Sequence, residues 1–257
     1  MKFKRLTCFL SVFVIGITSL TLTGCTNDKK VEEAALNALQ TKYSKQFEVV
    51  DFDSYEVGGT GNRNKKYFGY FKETNLDNQE YPYLTFYVES NKDGTYITDQ
   101  YCFQRFAPGL ASYFKGFVKP SKGQNVSVVA DVHGDDSYSI TAKSSANARN
   151  AITAQLPYNL TIIMTGSKID PAIEAAKFTD LIPKLESAEF KGALNIIYCG
   201  ESYRETLEQY YCHALPLDSK VDSDQLIADA TFDYSGDGGT GASVGAIATQ
   251  LAQDLGQ

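Results

Sequence analysis

Four residues in one short stretch have the donors to hold a metal ion. Asp131, His133, Asp135 and Asp136 offer one imidazole and three carboxylates, nitrogen and oxygen ligands that suit a divalent cation. Alternate residues of an extended strand project to one side, so Asp131, His133 and Asp135 form the candidate metal site. A metal-dependent hydrolase using Asp131 and His133 is one activity such a site would serve. The run Gly134-Asp135-Asp136-Ser137 also has the make-up of a hairpin turn, in which acids bond their own backbone. Both readings stand on the sequence.

Other chemical patterns are weaker. Gly236-x-Gly238-x-x-Gly241 follows a strand-like run and precedes a helix, as in dinucleotide sites where glycines let a pyrophosphate approach the helix N-terminus. That fingerprint needs a βαβ unit with an acid about 20 residues further on, and a connecting loop is the better reading. Asp233 and Asp237 among glycines lack the spacing of a calcium loop. Cys212-His213 would need proximity and a third, orienting group to act as a nucleophile pair. No His-Glu-x-x-His, Cys-x-x-Cys or phosphate-binding P-loop occurs.

The N-terminus is more specific. Lys2, Lys4 and Arg5 precede an apolar run from Leu6 to Leu20, which ends in Leu22-Thr23-Gly24-Cys25. The run is shorter than the ~20 residues that span a bilayer, and small residues before a cut site mark a signal peptide. The segment resembles bacterial lipoprotein precursors with a lipobox. The resemblance implies removal of residues 1–24, diacylglycerol on Cys25, a short tether over 25–30, and residence on the outer face of the cell membrane. No other cofactor is expected. Cleavage removes three of the 24 basic residues and leaves all 31 acidic ones, a formal net charge of −10. A body so acidic is repelled by phosphate backbones, which argues against nucleic acid as a partner. Cys102, Cys199 and Cys212 remain. Cys199 and Cys212 flank one expected helix and could bridge in an oxidising exterior, or all three could be buried free thiols.

The elements that must position these groups are a mixture. Apolar residues at 31, 34, 35, 38, 39 and 43 predict a helix. Strands follow at 47–57, 67–72, 84–89 and 96–103, with Asn91-Lys92-Asp93-Gly94 as a tight turn. Pro108 opens a second helix. Strands are predicted at 126–132, 138–142, 160–165, 194–199 and 226–234. Helices are predicted at 145–156, from Asp170-Pro171 until Pro183 kinks or ends it, from a capping box Ser202-x-x-Glu205, and over 244–255. The class is α+β, as two small modules of helices on antiparallel sheets, 31–105 and 106–257, with a helix–meander order in each.

The first module resembles helix-on-sheet domains of the cystatin-like or PepSY-like kind. Lys42-Tyr43-Ser44-Lys45-Gln46-Phe47-Glu48-Val49 is similar to a Lys-Tyr-x-x-x-Phe-x-Val phrase of uncharacterised Gram-positive surface lipoproteins. That phrase carries no catalytic group. The expectation is a non-catalytic binding or assembly role with a protein or cell-wall partner; a transporter's solute-binding component is a further alternative. Tyr83, Tyr87 and Tyr101, on Tyr-rich strands, are the candidate partner-binding residues, because tyrosine gives wide contact with a polar tip.

Overall fold

The computed structural model describes residues 26–57, 64–74, 84–94, 97–135, 137–234 and 241–256. Helix α1 (Thr26–Tyr43) lies across an antiparallel meander of β1 (Phe47–Val57), β2 (Asn64–Glu73), β3 (Thr85–Ser90) and β4 (Ile97–Asp99), in that spatial order. Ala35 and Leu39 of the helical stripe meet Phe47, Phe71, Phe86, Val88 and Tyr101 in a small core. Register is set by Val49 opposite Phe71 and Phe52 opposite Gly69, with a bulge between Val49 and Asp51. Gly69 is required there, because a Cβ would stand 2.2 Å from the Asp51 carbonyl. The strand pleat sends Asp51, Phe68, Tyr70, Tyr87 and Thr85 to the face opposite α1.

The chain passes from one core to the other within α2 (Tyr101–Gln104): Tyr101 belongs to the small core, Phe103 to the larger one. Then come α3 (Ala107–Lys115), β5 (Val126–Val132), α4 (Ala148–Thr153), β6 (Tyr158–Thr165), α5 (Pro171–Ala176), α6 (Leu181–Ser187), β7 (Ala193–Cys199), α7 (Glu201–Tyr211), β8 (Leu226–Asp233) and α8 (Val244–Asp254). The second sheet runs β5-β6-β7-β8, with β6 and β7 parallel and the outer pairs antiparallel. Parallel neighbours need a crossover, supplied by α5 and α6. One sheet face, including Leu160, Ile162, Leu194, Ile196 and Ala230, is buried in a core that also holds Leu110, Phe114, Phe178, Leu185, Ile247 and Leu251. Helix α7 reaches the opposite face through Ser127, whose hydroxyl bonds Glu208. The fold is α+β with two four-stranded sheets. No described helix is long and apolar enough to cross a membrane.

Several local expectations are corrected. Residues 26–30 continue α1 instead of forming a tether. The strand expected over 96–103 stops at Asp99, whose carboxylate accepts from Tyr101 N at 3.1 Å and turns the chain into α2. No strand forms at 138–142: the Gln100 side-chain amide bonds both the N–H and C=O of Gly134, at 3.1 and 3.0 Å, and Tyr138 packs edge-on against Phe103. The second module is therefore mixed and no meander. Asn147 caps a shorter α4, and α7 starts at Glu201 with Gly200 as its cap, so Ser202 lies inside the first turn and no capping box forms. Asp170 does cap α5, at 3.0 and 3.2 Å to Ala172 N and Ile173 N. Pro183 sits in the first turn of α6, where a missing N–H is tolerated.

Candidate functional site

Asp131 stands near the end of β5 on the face turned away from the larger core, and His133 follows two residues on in extended chain held by His133 N to Pro157 O at 2.9 Å. The two-residue period places both side chains together, with Asp131 Oδ2 2.9 Å from His133 Nε2. A second imidazole arrives from far along the chain. Helix α7 is capped at its C-terminus by Cys212, and His213 takes the left-handed conformation (φ 54°), a position that glycine usually fills. That turn carries its ring to 3.6 Å from the same Asp131 Oδ2 and stacks it on Tyr70 of β2, centroids 4.4 Å apart and planes 7° from parallel. Gln104 of α2 donates to Asp131 Oδ1. The chain contains two histidines, and both converge on one carboxylate.

Burial pushes the Asp131 carboxyl up, but hydrogen bonds from His133 and His213 outweigh it and hold the group far below the usual carboxylate range. In return Asp131 raises the His133 imidazole above its ordinary value, against the opposing pull of partial burial. Tyr70 is pushed up to about 12 by burial and then by the Asp131 charge.

The segment after α7 is fastened to the first sheet at two points. Thr85 Oγ1 donates to the Cys212 carbonyl, and Leu217 N donates to Asp51 Oδ2 at 2.7 Å. Between this segment and the two sheets lies a cavity of about 410 Å³, within the ~300–1,000 Å³ range of small-molecule sites. Tyr70, Tyr210, Tyr211 and His213 form its aromatic walls. Asp131, Asn159, Thr161 and Asn195 of the second sheet form a polar floor. That floor is ordered by its own bonds: Ala193 N to Asn159 Oδ1 at 2.9 Å, Asn195 Nδ2 to Thr161 Oγ1 at 3.2 Å, and Thr231 Oγ1 to Asn195 Oδ1 at 3.1 Å.

The sequence candidates divide. Asp131 and His133 come together, but Asp135 turns its carboxylate to Ser137, with Ser137 N at 2.9 Å, as the turn reading anticipates. The expected Asp131–His133–Asp135 metal site is corrected accordingly: among the described residues no group of three or more His, Cys, Asp or Glu side chains is placed to hold an ion. Tyr87 lies half-buried on the outer face of the first sheet beside Tyr70 and Phe68. Tyr101 is corrected as a surface residue. It is 2% exposed, packs against Tyr43, Phe47 and Phe86, and donates to Glu73 Oε2 at 2.8 Å. Cys25, Tyr83, Asp136, Gly236, Gly238 and Asp237 lie outside the described residues. The strand before the glycine run, β8, pairs antiparallel at the sheet edge, which is not the βαβ setting of a dinucleotide site. Cys199 and Cys212 are buried and are not bridged to each other. Sequence reasoning missed His213 as a partner of Asp131, and with it Tyr210, Tyr211, Asn159 and Asn195. The scarcity of histidine was the one available signal.

No family model matches the sequence, and no curated protein matches it. A crystal structure of a DUF5037 family protein from Ruminococcus gnavus ATCC 29149 is similar in fold, with a TM-score of 0.54 and 13% identity over 88% of this chain and 100% of that one. At that identity the likeness concerns the fold alone.

Proposed function

We propose that this chain is a lipid-anchored extracytoplasmic protein with a binding role, and that the cavity between its two sheets is where it binds. The anchor rests on the Leu22-Thr23-Gly24-Cys25 motif and its charged, apolar approach; two acyl chains give lasting attachment where one gives marginal attachment. The observation that carries the binding role is the cavity itself, concave, aromatic-walled and floored with ordered amides and hydroxyls. Binding is favoured over hydrolysis by the condition of Asp131. Its oxygens already receive Gln104, His133 and His213, so the carboxylate acts as a strut between β5, α2 and the end of α7. The outer tyrosine face of the first sheet, with Tyr87, is a secondary surface for a protein or cell-wall partner.

The test has two parts. Cys25→Ser should move the protein from the membrane fraction to the medium, whereas recovery of the unaltered protein from cytosol would overturn the anchor. Asn195→Trp should block the cavity without displacing either core. A small-molecule library bound equally well by the unaltered and Asn195→Trp proteins would overturn the cavity as the binding site.

A further inference from the structure

The cavity's lining narrows what it can hold, an inference that rests on the binding role proposed above. None of its lining residues is Lys or Arg, so it presents no permanent cation to a phosphate or carboxylate, and the acidic body repels anions at a distance. Its single carboxylate, Asp131, already accepts from Gln104 and lies against two imidazoles, so its oxygens are taken up within the protein and are not presented to an ammonium group. What the floor does offer is neutral hydrogen bonding. A side-chain amide has two N–H donors and two acceptor lone pairs. Asn195 gives one N–H to Thr161 and takes one bond from Thr231. Asn159 accepts from Ala193 N and approaches His133 Nε2 through Nδ2 at 3.4 Å. Each keeps at least one donor and one acceptor for a ligand, and both amides are held by the bonds their oxygens accept.

The walls supply the complement. Tyr210 and Tyr211 are consecutive at the end of α7, their rings 5.2 Å apart and 85° from parallel, and both line the cavity. A ligand with apolar C–H faces and a rim of hydroxyl or amide groups would satisfy both halves at once. We infer that the cavity binds a neutral, hydroxyl-rich ring, a saccharide unit, with Asn159 and Asn195 reading its hydroxyls and the paired tyrosines packing on its C–H face. The chemistry is shared by an N-acetylated wall glycan and a free nutrient oligosaccharide.

The experiment is calorimetric and NMR titration of the full chain in a non-glycosidic detergent. The neutral probes are the β-linked N-acetylglucosamine tetramer, for wall glycan, and maltotetraose, for a free sugar; the charged probes are glucose 6-phosphate and glutamate. The inference expects one neutral probe to bind and to shift the Asn159 and Asn195 side-chain amide signals, with neither charged probe doing so. Asn195→Ala and Tyr210→Ala should each weaken that binding about five- to tenfold, the effect of losing a single neutral contact. The amide shifts are read on the unaltered chain, so the result stands even if a variant fails to fold. A charged probe that shifts those amides while both saccharides fail would overturn the ligand class and leave the cavity's binding role intact. Saccharide binding unchanged in both variants would place the sugar elsewhere and overturn the inference. If saccharides, charged probes and library compounds all leave those amides unmoved, the binding role of the cavity falls as well.

Discussion

Replacing Asp131 with Asn keeps the shape of the strut and removes its charge, which isolates what the shared carboxylate contributes. The pH dependence follows from the direction of each shift. The His133 imidazole is raised by Asp131, so the stability it contributes is complete below the unfolded value of about 6.5 and is lost as pH rises through the higher folded value. Asp131 is held low, so its contribution is present above about pH 4 and disappears only in stronger acid. The strut is therefore most stabilising between about pH 4 and 6.5. His133 is half exposed, with 50% of its side chain accessible; solvent screening then limits its ion pair to about 0.5–1 kcal/mol. Loss of charge in the bond from Gln104 adds about 0.5–1 kcal/mol. Asp131→Asn should cost about 1–2 kcal/mol at pH 5.5. At pH 8.5 the neutral imidazole can accept from the new amide, and the cost should fall by about half or more. Urea unfolding of both proteins at the two pH values measures this, and the His133 ring signals followed by NMR give its titration directly. An identical cost at both pH values, or a His133 midpoint at or below the ordinary one in the unaltered protein, would refute the reasoning.

Two further outcomes test the cores. Tyr101→Phe should destabilise by about 1–2 kcal/mol, because it removes the donor seen 2.8 Å from Glu73 Oε2 and leaves that carboxylate to Lys45, and Tyr101→Ala by about 3–5 kcal/mol through the cavity it leaves among Tyr43, Phe47 and Phe86; thermal or urea unfolding that ranks the two substitutions the other way contradicts a core role. Burial pushes the Cys199 thiol up to about 11, so iodoacetamide at pH 8 should leave it unlabelled in the folded protein and label it fully in urea, with intact mass showing no Cys199–Cys212 bridge.

Where a pattern is local, the sequence was a good guide. The alternation read over 84–89 becomes the strand Thr85–Ser90, and the turn with Gly94 at φ +71°, the Asp170 cap and the 126–132 strand occur as read, because side-chain period and turn chemistry act within a few residues. The failures occur where a distant group competes. The Gly134 backbone is bonded by Gln100, so the hairpin at 138–142 does not form. The run 96–103 reads as the partner strand of the hairpin, yet the Asp99 carboxylate caps the backbone of Tyr101 and the chain turns.

The sequence by itself determined the acidic charge, the two-residue spacing that brings Asp131 and His133 together, and the mixture of helix and strand periods behind an α+β fold. Only the tertiary structure decided that the second sheet contains a parallel pair, that Tyr101 is core, and that His213 meets Asp131 against Tyr70. Spacing fixes direction over a few residues, whereas a cavity is enclosed by β2, β5, β6, β7 and the segment after α7, whose juxtaposition depends on the packing of two whole cores.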